Sequence, residues 1–291
     1  MPVTLEVHAF DLPRKFSFRT VFGSAVGWFD HEFLLDHGIN PSGIYSRNPP
    51  KKEKLQAWAE DGRITAFNVM HTRLAWLDGD NRPTEDQLEQ MLDEIGRCLE
   101  AAESVGLRDE AYFYMFDEST GEALPAMRMI SDAVAERFPN LLMLTTAHVS
   151  PGKLPHLKGW VPRIPKYNFD SARRARKVLD RQVWWYTANT PRPPYPNFFV
   201  TQPAMAHRLV MGAMAFAYQS DGFLYYSLGQ RYRNVTIKRI YTPNAKAQQH
   251  GQLFQRGPNG PLPSIRLEMF RAGLQDYEYL KQATELAAQV N

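Results

Sequence analysis

The sequence predicts an α/β protein, a (β/α)8 TIM barrel with some irregular crossovers, on three observations. Eight short apolar or alternating runs are spaced along the chain, segments of helical period lie between several of them, and no Pro/Gly/Ser linker divides the 291 residues. With 44% hydrophobic and 12% aromatic residues the chain can bury one large core, so a single domain over residues 1–291 is expected. A doubly wound open sheet is the structural alternative.

The strand candidates, in order, are "TLEVHAF" (4–10), "EFLLDH" (32–37), "ITAFNVM" (64–70), "AYFYMF" (111–116), "LLMLTTA" (141–147), "GWVPRI" (159–164), "QVWWYTA" (182–188) and "GFLYYSL" (222–228). Helical patterns run over 84–105, 121–137, 169–180, 203–218 and 264–288. The first opens on Thr84 and Asp86 and is followed by Gly106, so its start and stop signals agree with its period. Helical pattern is poor after the first, second and fifth runs, where the crossovers should be irregular. The stretches 189–203 and 229–263, rich in Pro, Gly, Gln, Asn and Arg, follow the last two strands, where a barrel carries active-site loops.

Composition removes several classes of function. A formal charge of +3 with interleaved signs gives no footprint for nucleic acid or an anionic membrane, and no apolar run approaches a membrane span or a signal peptide, so a soluble protein is expected, cytoplasmic as the sequence stands but with its true compartment unassigned. The basic run "ARRARKVLDR" (172–181) suits the exposed face of a helix. The single cysteine, Cys98, sits among Met91, Ile95, Leu99 and Ala102 at helical spacing and reads as a small buried hydrophobe. The eight histidines are scattered without metal-ligand spacing, and glycine-rich phosphate loops and a G-x-S-x-G elbow are absent, so no metal and no cofactor is expected.

The chemistry concentrates where "YFYMFDEST" (112–120) runs an apolar stretch into two adjacent carboxylates, Asp117 and Glu118. Like charges side by side at the end of an apolar run suit a site in which one carboxyl holds a proton or meets a cationic transition state. The competing reading is structural, with acidic and hydroxyl residues starting the helix at 121. Other predicted strand ends also carry polar groups: Asp36 and His37, Asn68 and His71, Thr146 and His148, Trp185 and Tyr186, Tyr226 and Ser227. Aromatic rings beside directed hydrogen-bonding groups suit sugars, whose C–H faces lie against rings while their hydroxyls need fixed partners.

"FDLPRKFSFRTVFG" (10–23), "LLDHGINP" (34–41), "FYMFDE" (113–118), "VWWYTANTPRPPYPN" (183–197), "AHRLVMGAMAFAYQSDGFLYYSL" (206–228) and "SIRLEMFRAGLQDYEYL" (264–280) occur in this order. Together they resemble the catalytic module of family-123 glycoside hydrolases and the related domain of unknown function 4091. The resemblance implies a (β/α)8 barrel that removes β-linked N-acetylgalactosamine, a glycan substrate and no cofactor. Members of the family usually carry a β-sandwich before the barrel. Here the first predicted strand begins at residue 4 and Gln275 replaces a usual acidic residue. Barrel surface left bare would suit a second subunit, so a homodimer is expected.

By that resemblance Glu118 is the general acid/base and Asp117 assists the substrate's acetamido group. The acetamido oxygen then attacks C1, an oxazolinium forms, and the anomeric configuration is retained; no enzyme carboxylate acts as nucleophile. Ionised Asp117 would accept from the acetamido N–H, and protonated Glu118 would donate to the leaving oxygen. Tyr186 or Tyr226 would orient the acetamido carbonyl, Trp185 would form the pocket floor, and His37, His148 and Asn197 would contact hydroxyls. Two alternatives stand beside this reading. One is a carbohydrate-binding barrel without catalysis. The other is a glycosidase of different specificity, for β-GlcNAc or β-Gal, the latter needing a second carboxylate for which Asp36 is the candidate.

Overall fold

The computed structural model describes residues 10–24, 26, 29–72, 82–149, 151–199, 202–228, 253–257 and 260–290. The predicted run at 4–10, apart from Phe10, and most of the 229–263 stretch lie outside the described residues.

In chain order the elements are β1 (Arg19–Ser24), α1 (His31–Asp36), α2 (Lys52–Asp61), β2 (Phe67–His71), α3 (Glu85–Glu103), β3 (Ala111–Tyr114), α4 (Leu124–Arg137), β4 (Leu142–Thr145), β5 (Gly159–Trp160), α5 (Phe169–Leu179), β6 (Gln182–Val183), β7 (Trp185–Thr187), α6 (Met205–Met211), α7 (Ala213–Ala217), β8 (Gly222–Ser227), β9 (Phe254–Gly257), β10 (Gly260–Pro263) and α8 (Ile265–Val290). This is an α/β fold with two parallel sheets, one ordered β1–β8–β7 and one ordered β2–β3–β4–β5–β6, beside the small antiparallel pair β9–β10.

Two sequence expectations are corrected. The run at 32–37 is the helix α1, because the Asp30 side chain accepts from the N–H of Phe33 at 3.2 Å and caps its start. The first strand of the sheets is β1, absent from the eight predicted runs. Helix α3 starts at Thr84 as expected, through a capping box in which Thr84 accepts from Gln87 N and the Gln87 side chain accepts from Thr84 N. The predicted helix 203–218 is divided at Gly212, and among the described residues the crossover from β4 to β5 holds only the short 3-10 turn Pro151–Lys153.

Between β1 and β2 runs the segment 40–46, which hydrogen-bonds to both. Ile44 N donates to Phe22 O at 2.8 Å and His71 N to Ser46 O at 2.6 Å. The Asn40 amide donates to Thr20 O and to Thr65 Oγ1 while accepting from Thr65 N, so one buried side chain ties the entries of two strands.

Strand alternation sorts the core into layers. Alternate residues of both sheets, including Val21, Tyr112, Tyr114, Leu144, Trp184, Tyr186 and Leu224, share one inner cluster. Their neighbours face the helices. Phe113 and Met143 pack with Ile95, Leu99 and Ile130, and Phe22, Trp185 and Phe223 pack with Val210, Met211 and Phe270. Cys98 is buried on α3, and burial pushes its thiol up to about 12. Among the described residues no helix is long and apolar enough to cross a membrane.

Candidate active site

The parallel strands set the site's position. Tyr114 ends β3 on the inner face, and the chain leaves its carboxyl end through Met115 and Phe116, both fully buried, into Asp117 and Glu118. Glu118 has φ +43°, in the left-handed region that costs a non-glycine residue roughly 1 kcal/mol. A sharp backbone turn at this point brings the Asp117 carboxylate and the Glu118 backbone N–H to one group of side chains.

Thr146, just past β4, is that group's centre. Its Oγ1 donates to Asp117 Oδ1 at 3.0 Å and accepts the backbone N–H of Glu118 at 2.9 Å. Tyr114 Oη donates to the same Asp117 oxygen at 2.8 Å, and Tyr45 Oη donates to Oδ2 at 3.1 Å. Three hydroxyl donors on one carboxyl match a carboxylate, an acceptor without a proton of its own. Burial first, and then the Asp117 charge, push both the Tyr45 and Tyr114 hydroxyls up, so each remains a donor at physiological pH.

Glu118 has a separate partner. Tyr186 Oη, on β7, donates to Glu118 Oε1 at 2.5 Å, and burial followed by this hydrogen bond pushes the tyrosine hydroxyl up. His71 closes another side of the group. Its ring stacks on Tyr114 with centroids 5.2 Å apart, Nδ1 meets Tyr114 O at 3.0 Å, and burial pushes the imidazole down towards its neutral form.

Tyr45 reaches Asp117 because Gly23 lies beneath it. A Cβ at position 23 would stand 2.5 Å from Tyr45 Cε2 and 2.1 Å from Tyr226 O. Beside the pair a cavity of about 230 Å3 is lined by Thr146, His148, Trp160, Arg163, Lys166 and Tyr186 among others.

The other predicted residues fall in different places. Tyr226, at the end of β8, is half-buried, its Oη is 3.5 Å from Asn189 Oδ1, and burial pushes it up to about 12. His148 is exposed on the cavity, its backbone N–H donating to Ser119 O. Trp185, one residue from Tyr186, points the opposite way into the helix-facing layer, 5.3 Å from Tyr167 between centroids. Asn197 is fully buried and holds the 189–199 loop, its amide donating to Ala188 O and Pro191 O. His37 ends α1, its Nδ1 2.7 Å from Phe33 O and its Nε2 3.5 Å from Glu268.

Asp36 is also drawn elsewhere. It pairs with Arg63, four residues before β2, at the amino end of the strands, whereas Asp117 and Glu118 leave the carboxyl end of β3. It stands at no strand end. Tyr45 and Trp160 escaped the sequence reading: Tyr45 lies on a segment without periodicity, and Trp160 ends a two-residue strand. Among the described residues no cluster of three His, Cys, Asp or Glu side chains is arranged to hold a metal.

Comparison with known proteins places this chain in a family. The family profile "Glycoside hydrolase 123, catalytic domain" matches residues 54–283. A family 123 glycoside hydrolase from Clostridium perfringens, described for its hydrolysis of glycolipid glycans, superposes with a TM-score of 0.53 at 15% identity, over 72% of this chain and 37% of that one. The chain thus spans well under half the length of that relative. A xylanase from Cellvibrio japonicus superposes with a TM-score of 0.45 at 12% identity, over 90% of this chain and 68% of that one. No curated protein matches the chain. With the profile covering most of its length, this chain belongs to glycoside hydrolase family 123, whose catalytic domain it carries.

Proposed function

We propose that this domain is a retaining glycosidase that removes β-linked N-acetylgalactosamine through an oxazolinium formed by the substrate's own acetamido group. The observation that carries the reading is the adjacent pair Asp117–Glu118 with divided donors: three hydroxyls on Asp117, one on Glu118. Consecutive residues are too close for one to attack C1 from below while the other protonates the leaving oxygen from the side, as an enzyme nucleophile would require. They suit a mechanism in which the substrate supplies the nucleophile.

In this mechanism Asp117, fixed as a carboxylate, takes the acetamido N–H and stabilises the positive charge that spreads over the forming ring. Glu118 accepts from Tyr186 on Oε1, which leaves Oε2 to carry the proton delivered to the leaving oxygen. The same carboxylate then takes a proton from the water that opens the oxazolinium. Tyr186 acts through Glu118 as a positioning residue.

We read the two sheets as parts of one closed (β/α)8 barrel. The reading is supported by β1 pairing with β8, by segment 40–46 bonding to β1 and β2, by the bridge from Arg163, three residues past β5, to Tyr186 on β7, and by an inner cluster drawn from both sheets. The carboxyl ends of the strands would then form the rim on which barrel enzymes place their chemistry.

The test is release of 4-nitrophenol from β-GalNAc, β-GlcNAc and β-Gal glycosides side by side. Turnover of the two acetamido sugars with β-GalNAc ahead supports the proposal. Equal turnover of the β-Gal glycoside overturns substrate assistance, and no turnover of any glycoside leaves the carbohydrate-binding alternative.

A further inference from the structure

The cavity beside the carboxylates carries the opposite charge. Arg163 and Lys166 line it with His148, and no aspartate or glutamate does. Neither basic residue has an acidic partner within ion-pair distance among the described residues. Among the described residues the Arg163 guanidinium makes one hydrogen bond, from Nη1 to the uncharged Thr190 Oγ1 at 3.1 Å, and Glu118 takes its hydrogen bond from Tyr186 rather than from Arg163. Arginine has five N–H donors in a fork that fits two oxygens of one anion, so most of its donor capacity is uncommitted.

The place of this charge in the fold gives it meaning. Arg163 follows β5, and its backbone bridges to Tyr186 on β7, the residue that holds Glu118. The cavity also shares Thr146 with Asp117. It is therefore one hydrogen bond away from each carboxylate. Trp160, half-buried at the end of β5, gives it an apolar wall suited to the face of a sugar ring. At about 230 Å3 it has room for a substituent or a single ring, short of the roughly 300 Å3 at which pockets for larger ligands begin.

From this juxtaposition we infer that the cavity is a subsite for an oxyanion on the glycan, a sulfate ester or a sugar carboxylate, held by Arg163 and Lys166. The inference rests on the reading of Asp117–Glu118 as the catalytic pair and adds a specificity to it: the preferred glycan is acidic. Two cations with no acidic partner among the described residues are satisfied by an anion that arrives with the substrate. A neutral glycan would leave them to water.

The experiment measures binding apart from turnover. N-acetylgalactosamine, its 4- and 6-sulfates, and a disaccharide of glucuronate on N-acetylgalactosamine are titrated calorimetrically into the wild type, Arg163→Gln, Lys166→Gln and the double variant. At least one acidic ligand is expected to bind about tenfold more tightly than the neutral sugar. The preference should shrink as salt is raised towards about 1 M. Each single variant should reduce the ratio severalfold and the double variant should bring it near one. Lys166→Gln touches no loop contact, so its effect separates anion binding from the fastening of Thr190 by Arg163. The sulfate and uronate arms identify which oxyanion is held.

Equal affinity of the wild type for neutral and acidic ligands overturns the subsite, and so does an undiminished preference in the double variant. The 4-nitrophenyl glycosides of the neutral and sulfated sugars, run in parallel, keep the two readings apart. Hydrolysis with no acidic preference removes the subsite and leaves the proposed function. Acidic preference in binding without hydrolysis of any glycoside keeps the subsite and removes the proposed function.

Discussion

Tyr186 Oη and Glu118 Oε1, 68 residues apart in the chain, meet at 2.5 Å and fix the glutamate from the far side of the site. Tyr186→Phe keeps the ring in the inner cluster and deletes only the donor. A hydrogen bond to a charged group contributes about 1.5–3 kcal/mol, so kcat/KM is expected to fall roughly ten- to a hundredfold. KM should change little and the unfolding midpoint should stay near that of the wild type. Unchanged steady-state kinetics would remove Tyr186 as a positioning residue.

Glu118→Gln cannot protonate the leaving oxygen. Turnover of glycosides with alkyl or sugar leaving groups is expected to drop by about 10²- to 10⁴-fold, while aryl glycosides of acidic phenols are spared because they depart without help. Comparing the two substrate types on one preparation is the check. Equal loss on both contradicts the acid role.

Asp117→Asn keeps the shape and removes the charge opposite the oxazolinium. A thiazoline analogue, which mimics the cyclic intermediate, should bind the wild type far more tightly than the sugar does, and the variant should lose most of that difference. Asp117→Ala should lose most turnover. A 2-fluoro sugar trapped covalently on any enzyme carboxylate, read by mass spectrometry, sinks the substrate-assisted proposal.

Gly23→Ala tests the floor under Tyr45. The added methyl meets Tyr45 Cε2 and the backbone oxygen of Tyr226 at distances no carbon tolerates, so Tyr45 must leave Asp117 or the strand must shift. The variant should lose about 1–3 kcal/mol of stability and a larger share of its activity than Tyr45→Phe, which deletes only the hydroxyl. Wild-type behaviour in both denaturant titration and turnover would show that the contact gives way freely.

His207 predicts an acid limb in stability. It is fully buried on α6, stacked on Phe198 with centroids 4.2 Å apart, and neither ring nitrogen has a hydrogen-bond partner among the described residues. Burial first, and then Arg266, push it down to about 3. The folded protein keeps it neutral while the unfolded chain protonates it below about 6.5, so the unfolded state binds the extra proton between those values. Stability should fall as pH falls through that window by up to about 1.4 kcal/mol per pH unit from this group. His207→Phe should flatten the slope by up to one proton. Parallel curves of urea midpoint against pH for the two proteins would exclude the assignment.

What the sequence made legible follows from where a signal is local. The start of α3 is written in Thr84 and Gln87, and the existence of β3 in the apolar run that holds Tyr112, Phe113 and Tyr114. The run at 32–37 was ambiguous because six apolar-rich residues fit strand or helix, and the deciding contact, Asp30 to Phe33 N, lies at its edge. β1 carries no alternation because Val21 and Phe22 are both buried, one inward and one outward. The adjacency of Asp117 and Glu118 is visible in one dimension. Alternation requires Trp185 and Tyr186 to face opposite ways but does not say which faces in, and Tyr45 joins the site only through the hydrogen bonds that seat segment 40–46.

The pairing of β1 with β8 also governs how the chain is made. Val21 lies opposite Leu224, and Ser17, just before β1, is held through its N–H and hydroxyl by Glu278 on α8. At about 5–20 residues per second, a ribosome needs roughly 10–40 s after emitting β1 to deliver the strand that covers its edge. Until then that edge is open to any other nascent strand, and α8, which secures Ser17, emerges later still. Synthesis therefore gives β1 one neighbour early, through Ile44 and Phe22, and its second only when β8 arrives, so slower translation should lower the yield of folded protein.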